Sequence, residues 1–94
     1  MRIRWTRQAL SRLKEIESYI SAQNPEAATR VLRRIHDIVG YLGEQPLAGR
    51  AGRVDGTREL ILGDFPYIIA YRVKPNAIEV LAVLHASRRW PDKF

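Results

Sequence analysis

Hydrophobic and polar positions alternate at the start of the chain and then change to helical spacing. Ile3 and Trp5 alternate with arginines, which predicts a short strand over residues 2–5 with both side chains pointing inward. Thr6 is a suitable helix cap, and the apolar residues after it recur every three or four positions to about residue 22. These residues are Leu10, Leu13, Ile16 and Ile20. The pattern predicts a strand followed by an amphipathic helix.

A second helix is predicted to begin at Asn24. Asn24 can cap it, Pro25 fits the first helical position, and Glu26 complements the positive end of the helix dipole. Gly43 stands where a left-handed C-terminal cap is expected. The apolar face consists of Ala28, Val31, Leu32, Ile35, Ile38, Val39 and Leu42. The two helices should therefore form an antiparallel hairpin.

The remainder of the chain has the pattern of a loop followed by three strands. Residues 44–56 contain Pro and repeated Gly and are predicted to form a mobile loop carrying Arg50 and Arg53. Short, turn-like connectors separate three β-like runs, at residues 58–62, 67–73 and 78–86. The order β-α-α-β-β-β predicts an α+β fold: an antiparallel sheet with the helix hairpin packed on one face and the other face open.

Alternation within the strands sorts their side chains by face, although it does not fix how the strands pair. Three groups are expected, each on one face of its strand: Arg58 with Leu60 and Leu62, Arg72 with Ile68 and Ala70, and His85 with Glu79, Leu81 and Val83. Which groups share a face of the sheet depends on strand register, which the sequence leaves open.

Length and composition narrow the class of protein. Ninety-four residues are enough for one core, so we expect a single domain spanning residues 1–94. The longest purely aliphatic stretch, Val80 to Leu84, is far too short to cross a bilayer, and the N-terminus lacks the apolar centre of a signal peptide. With no cysteine, disulfides and thiolate sites are excluded. We therefore expect a cytoplasmic protein that does not contact a membrane.

The net charge suggests a polyanionic partner. The chain carries a formal +6, and 13 of its 16 cations are arginine. Arginine binds carboxylates and phosphates through two parallel hydrogen bonds and stacks on bases, unlike the point charge of lysine. Nucleic acid or an acidic protein segment would fit, and the alternative is that the arginines only keep a small domain in solution.

Few residues are suited to catalysis. The two histidines are not in a metal-binding spacing, and nucleophile-elbow and phosphate-loop motifs are absent, so we expect no metal and no cofactor. Arg58, Arg72 and His85 would suit metal-free RNA cleavage, with His85 transferring protons and the arginines holding the phosphate. The alternatives are a structural role for His85 and a carboxylate partner, Glu59 or Glu79, for Arg72.

The C-terminal end of the sequence holds a further candidate interface. Trp90 follows Arg88 and Arg89, a combination that can stack on a base or insert into a groove of a protein. The alternative is that Trp90 covers the edge of the core.

Six segments together resemble one known family. They are RIRWTRQALSRLKEIESYI, NPEAA, QPLAGRAG, REL, FPYIIAYRV and VLHASRRW, in that order over nearly the whole chain. The sequence is similar to the ParE branch of the RelE/ParE toxin superfamily. The resemblance implies a toxin encoded beside an antitoxin, commonly DNA-binding, whose C-terminal segment folds over the toxin to give a hetero-oligomer.

Three functions are compatible with this resemblance. ParE-like members poison DNA gyrase without a nuclease site, whereas RelE-like members cut mRNA on the ribosome. Arginines 58 and 72 match strand positions of the nucleases, but the loop has Arg50 and Arg53 instead of lysines, and Trp90 or Phe94 stands where a tyrosine is expected. These departures favour gyrase over mRNA. A non-toxic nucleic-acid-binding module is the third possibility.

Overall fold

The computed structural model describes residues 1–87 and residue 94 of the chain. The fold is α+β, with two helices packed on one face of a five-stranded sheet. The elements in chain order are β1 (Arg2–Trp5), α1 (Arg7–Ser21), α2 (Pro25–Glu44), β2 (Arg50–Ala51), β3 (Arg58–Ile61), β4 (Tyr67–Lys74) and β5 (Ala77–His85). The predicted fold class and order of the main elements are confirmed. Within the described residues, neither helix is long and apolar enough to cross a membrane.

Both helices begin at the caps that the sequence predicts. The Thr6 side chain accepts a hydrogen bond from the Ala9 backbone N–H at 3.1 Å, and the Asn24 side chain accepts one from Ala27 at the same distance. Pro25 occupies the first turn of α2, where its missing N–H leaves no helical bond unmade. Each cap satisfies one of the backbone donors that a helix start leaves without a partner.

The predicted cap at Gly43 is wrong. Helix α2 continues through Glu44, and Gln45 is its C-cap residue. Gly43 lies in the last turn, where an added Cβ would come within 3.1 Å of the Met1 carbonyl oxygen and 3.3 Å of the Ile3 side chain. Gly43 does not have the positive φ of a left-handed cap, since among the described residues only Gly56 and Gly63 do. The close approach of β1 therefore explains the glycine.

The sheet is mixed, with strand order β1-β5-β4-β3-β2. Strand β1 pairs with β5 in parallel, whereas β2, β3, β4 and β5 pair antiparallel in sequence. The helix hairpin connects β1 to the meander, but β1 returns to pair with the last strand. The prediction of a three-stranded meander is confirmed, and the parallel pairing of β1 and the short strand β2 add to it.

The predicted mobile loop at residues 44–56 has a defined structure. Arg50 and Ala51 pair with Glu59 and Arg58 of β3. The turn beyond them is closed by a hydrogen bond of 2.8 Å from the Gly52 N–H to the Thr57 carbonyl oxygen. We refer to residues 46–57 as the β2 loop.

A β-bulge changes which side chains of β5 share a face. Pairing of β4 with β5 skips one residue, so that Ala70 lies opposite Ala82 but Tyr71 lies opposite Val80. Alternation is interrupted at the bulge because Leu81 is an extra residue in its strand. The prediction that His85 shares a face with Glu79 is therefore wrong: His85 pairs with Tyr67 and Glu79 with Arg72, on opposite faces.

The main core lies between the helices and one face of the sheet. Its fully buried members include Ile35 and Leu42 from α2 and Ile69, Tyr71 and Val80 from the sheet. Ile3 and Trp5 pack against this core, as the alternation in β1 predicts. Neither α1 nor α2 covers the opposite face of the sheet, and we call it the open face.

Candidate functional site: the open face of the sheet

Strand register determines which side chains lie on the open face. Tyr67, Ile69 and Tyr71 of β4 belong to the core under the helices. The residues that alternate with them, Ile68, Ala70 and Arg72, therefore point to the open face. Directly paired residues share a face, which places Leu84, Ala82 and Glu79 there as well.

Cations occupy one end of the open face. Arg72 donates to the Glu79 carboxylate at 3.5 Å, and Arg4 of β1 is paired in register beside Glu79 on its other side. Arg2 and Lys74 flank Ala77 in the same way. Arg72 thus has the carboxylate partner that its position on a central strand requires, which confirms one of the two expected partners. The cations on either side still outnumber that carboxylate.

The excess charge of residues 1–87 is concentrated on the open face. On it lie six cations and two carboxylates, giving +4: Arg2, Arg4, Arg50, Arg53, Arg72 and Lys74 with Glu59 and Glu79. The rest of residues 1–87 contains seven cations and seven carboxylates, so its formal charge is zero. A one-sided potential of this kind attracts and orients a negatively charged partner.

An apolar patch lies beside these cations. Ile68, Ala70, Ala82 and Leu84 are buried, and neither α1 nor α2 covers them. Phe94 packs against the two alanines and Leu84, so part of this cover comes from the chain itself. At the edge of the patch, 49% of Ile61 is exposed. The open face therefore combines a charged end with an apolar centre.

The β2 loop brings two more arginines to the open face through a buried carboxylate. Glu59 is only 2% exposed, and its Oε1 accepts from Arg50 Nη2 at 3.3 Å. Its Oε2 accepts from the Arg53 backbone N–H at 2.8 Å and lies 4.0 Å from Arg53 Nε. The arginine side chains are themselves 57% and 50% exposed. A buried charge thus fixes two cations at the surface.

On the helix side of the sheet, Tyr71 holds the start of the same loop. Its hydroxyl donates to the Pro46 carbonyl oxygen at 2.7 Å and accepts from the Gly49 N–H at 2.8 Å. Arg58 donates to the Gly49 carbonyl oxygen at 2.8 Å. Burial raises the pKa of the Tyr71 phenol, while the hydrogen bond from Gly49 and the charge of Arg58 oppose that rise. Both backbone groups of Gly49 are therefore fixed.

The predicted catalytic residues do not come together. Arg58 lies on the helix side of β3 and Arg72 on the open face of β4. His85 is at the far end of β5, where its ring meets Tyr67 edge to face at 5.5 Å between centroids. His85 Nδ1 accepts a hydrogen bond from the Ser87 N–H at 3.2 Å.

His85 belongs instead to a cleft at the end of the sheet. This cleft has a volume of about 270 Å³ and lies between the sheet and α1, with Arg12, Glu15 and Tyr19 among its lining residues. No group of three His, Cys, Asp or Glu residues placed to hold a metal ion occurs in the described part of the chain.

The other predicted interface residues divide into two groups. Arg50, Arg53 and Arg72 lie on the open face. Arg88, Arg89 and Trp90 lie outside the described residues.

Sequence reasoning missed two residues that build the site. Glu59 was expected only as a possible partner of Arg72, and Tyr71 only as a strand residue. A charged residue within the alternating run RELIL is the one available signal for Glu59. Nothing in the sequence near Tyr71 indicates that its hydroxyl reaches a loop 25 positions away.

Comparison with known proteins identifies the family. The family model described as "ParE toxin of type II toxin-antitoxin system, parDE" matches residues 3–90. The chain belongs to the ParE toxin family. It is 52% identical over 91 residues to the Sinorhizobium fredii protein named "Putative toxin Y4kP", covering 97% of this chain and 94% of that protein. Membership makes the chain a toxin of a type II toxin-antitoxin system and implies an antitoxin partner.

Solved structures agree with this assignment. A chain of a structure titled "Chromosomal ParDE TA system from P. aeruginosa" superposes with a TM-score of 0.81 and 31% sequence identity. The match covers 93% of the present chain and 97% of the other. The ParE fold is therefore matched over nearly the full length of both proteins.

Proposed function

We propose that this ParE-family toxin arrests growth by binding and inhibiting DNA gyrase, and that a cognate antitoxin neutralises it by covering the open face. The observation that carries the second part is the concentration of cations from residues 1–87 on the face of the sheet opposite the two helices. Gyrase and the antitoxin are cytoplasmic partners, so the toxin would act in the cytoplasm. No cofactor enters this function.

The open face suits a segment that is both acidic and apolar. Carboxylates of the segment would meet the cations around Arg4, Arg72 and Arg50, and an apolar side chain would cover Ile61, which is 49% exposed at the edge of the patch. A segment that orders on binding can bury a large surface on a small protein. We therefore propose a hetero-oligomer in which the C-terminal part of a DNA-binding antitoxin occupies this face.

The positions of the candidate catalytic residues favour toxicity by protein binding over toxicity by catalysis. A metal-free ribonuclease needs its base, acid and cations around one phosphate. Here Arg58 and Arg72 are on opposite faces of the sheet, and His85 pairs with Tyr67 at the end of β4 remote from Arg72. This separation favours gyrase inhibition by protein contact over RelE-like mRNA cleavage.

Induction of the toxin without its antitoxin tests the proposal. A gyrase poison should produce DNA breaks, a DNA-damage response and filamentation before protein synthesis falls. Loss of translation first, with mRNA cleaved on ribosomes, would instead indicate the endonuclease. The absence of any growth defect would favour a non-toxic nucleic-acid-binding module.

A purified system separates gyrase inhibition from indirect effects. The toxin should inhibit supercoiling by purified gyrase, and an equimolar amount of antitoxin should restore it. Full supercoiling activity in an excess of folded toxin would contradict the proposed target.

A further inference from the structure

The carboxylate of Glu59 is unusual for its position. The side chain is on the open face beside Ala70, where an apolar residue would extend the patch of Ile68 and Leu84. Burying an ion pair is often no more stabilising than burying apolar groups of the same size. A charge that is 2% exposed at this position therefore points to a role other than stability.

Both oxygens of this carboxylate hold the β2 loop. One accepts from the Arg50 guanidinium, and the other accepts from the Arg53 backbone and lies near its Nε. Glu59 thus fixes the backbone at one arginine and the side-chain head of the other. Arg50 uses one of its nitrogens in this contact, while more than half of its side chain remains exposed.

The loop is fixed from the other side as well. Tyr71 holds the backbone at Pro46 and Gly49, immediately before Arg50. An added Cβ at Gly49 would lie 2.6 Å from the Tyr71 hydroxyl, so the loop cannot come closer. The two arginines are therefore set in position before any partner arrives, which lowers the entropy lost on binding.

We propose that Arg50 and Arg53 form a preorganised docking site for neighbouring carboxylates of an acidic protein segment, with Glu59 as its positioning residue. Guanidinium groups match carboxylates through paired hydrogen bonds. Ile61, half exposed on the same face of β3 as Glu59, gives a partner an apolar contact, which favours a protein segment over a nucleic acid backbone. This choice of partner rests on the function proposed above.

Replacing Glu59 separates preorganisation from simple charge. Glu59→Gln makes the loop more positive by one unit, and so does Asp55→Asn, which changes an exposed carboxylate two residues after Arg53. The probe is a hexaglutamate peptide, titrated at about 0.1 M salt while the arginine Nε–Hε signals are followed by NMR. We expect Glu59→Gln to weaken binding about tenfold despite its added positive charge. Asp55→Asn should bind as well as the native chain or better.

Several results would overturn the inference. They are peptide binding by Glu59→Gln at least as tight as that of the native chain, no response of the Arg50 and Arg53 signals, and tighter binding of a thymidine hexanucleotide through the same signals. If the amide spectrum shows that Glu59→Gln is unfolded, Arg50→Lys decides, because it keeps the charge and lies on an exposed strand. It should weaken peptide binding about tenfold, and unchanged affinity would contradict the site.

The growth phenotype plays no part in these titrations. If the protein is harmless in cells but binds the peptide as described, the proposed function is wrong and the docking site stands. If the protein inhibits gyrase but its peptide binding does not depend on Glu59, the docking site is wrong and the proposed function stands.

Discussion

At the scale of single residues, buried polar groups connect the β2 loop to the sheet. Tyr71 and Glu59 reach the loop from opposite faces, and each satisfies backbone groups that have no strand partner. Loss of one such group leaves its partners buried without a hydrogen bond, which costs more than the bond itself contributes. Their effects should therefore appear in stability as well as in binding.

Tyr71→Phe should lower the free energy of unfolding by about 1–3 kcal/mol, because the Pro46 carbonyl and the Gly49 N–H lose their partner. Urea denaturation measures this loss. Tyr41→Phe, at an exposed position of α2, is the matched control and should change stability little. Equal effects of the two substitutions would show that the Tyr71 hydroxyl does not hold the loop.

The same tyrosine should affect stability at alkaline pH. Because the folded pKa is above the ordinary 10.0, the unfolded chain loses this proton first as the pH rises. The contribution of Tyr71 is therefore complete below pH 10 and declines as the pH rises through the folded pKa. The stability difference between the native chain and Tyr71→Phe should narrow above pH 10, and a constant difference would contradict the raised pKa.

His85→Ala should leave growth arrest intact, because His85 is remote from both Arg58 and Arg72 and its Nδ1 accepts from Ser87. Survival of induced cells is the measurement. Tyr19→Ala, from the same cleft, controls for loss of cleft packing. Loss of killing in His85→Ala alone, with the protein still folded, would support a catalytic histidine.

At the scale of elements, local signals in the sequence predicted more than long-range ones. Thr6, Asn24 and Pro25 mark helix starts by chemistry that acts within four residues, so these boundaries are confirmed. Gly43 was misassigned because its reason is contact with Met1, a residue far away in the sequence. The bulge at Leu81 was equally hidden, since only pairing with β4 reveals it.

The candidate site could likewise be predicted only where local sequence signals determine it. Arginine content indicated a basic surface, but which arginines share it depends on register and on the bulge. Strand β2 has only two residues, and its pairing depends on Glu59 and Tyr71 more than on any β propensity of its own. Arg50 and Arg53 could thus be named from the sequence, whereas the carboxylate that orients them could not.

Glycine to alanine substitutions should have opposite signs in two elements. At Gly49 an added Cβ would lie 2.6 Å from the Tyr71 hydroxyl and 2.8 Å from the Glu59 carbonyl oxygen, so Gly49→Ala should destabilise by about 1–3 kcal/mol. At Gly40, an exposed position of α2, nothing lies within 4 Å. Gly40→Ala should stabilise by up to about 1 kcal/mol through helix propensity. Thermal melting measures the stability of both variants. Stabilisation by both substitutions would show that the β2 loop can shift to accommodate the added Cβ at Gly49.

At the scale of the whole molecule, charge and shape divide the protein into two layers. The helix layer contains most of the balancing carboxylates, and the open face contains the excess cations beside an apolar patch. A partner with a negative segment would be attracted to the sheet before contact, and held afterwards by hydrogen bonds from the arginines and by burial of the exposed Ile61. Association rate and complex lifetime should therefore depend on different residues of the same face.

Charge reversal on the two layers tests this separation with two double variants of equal net charge. Arg2→Glu with Lys74→Glu changes exposed cations of the open face, and Arg30→Glu with Arg33→Glu makes the same change on the outside of α2. The first pair should slow association with the antitoxin about tenfold at low salt, and the second should have little effect, because steering depends on the local potential around the docking face. Surface plasmon resonance over a range of salt measures both rates. The difference should shrink towards about 0.5 M salt, where the Debye length falls to a few ångströms, while dissociation changes less than association. If both pairs slowed association equally, the rate would depend on the total charge of the toxin. That result would contradict the open face as the docking surface.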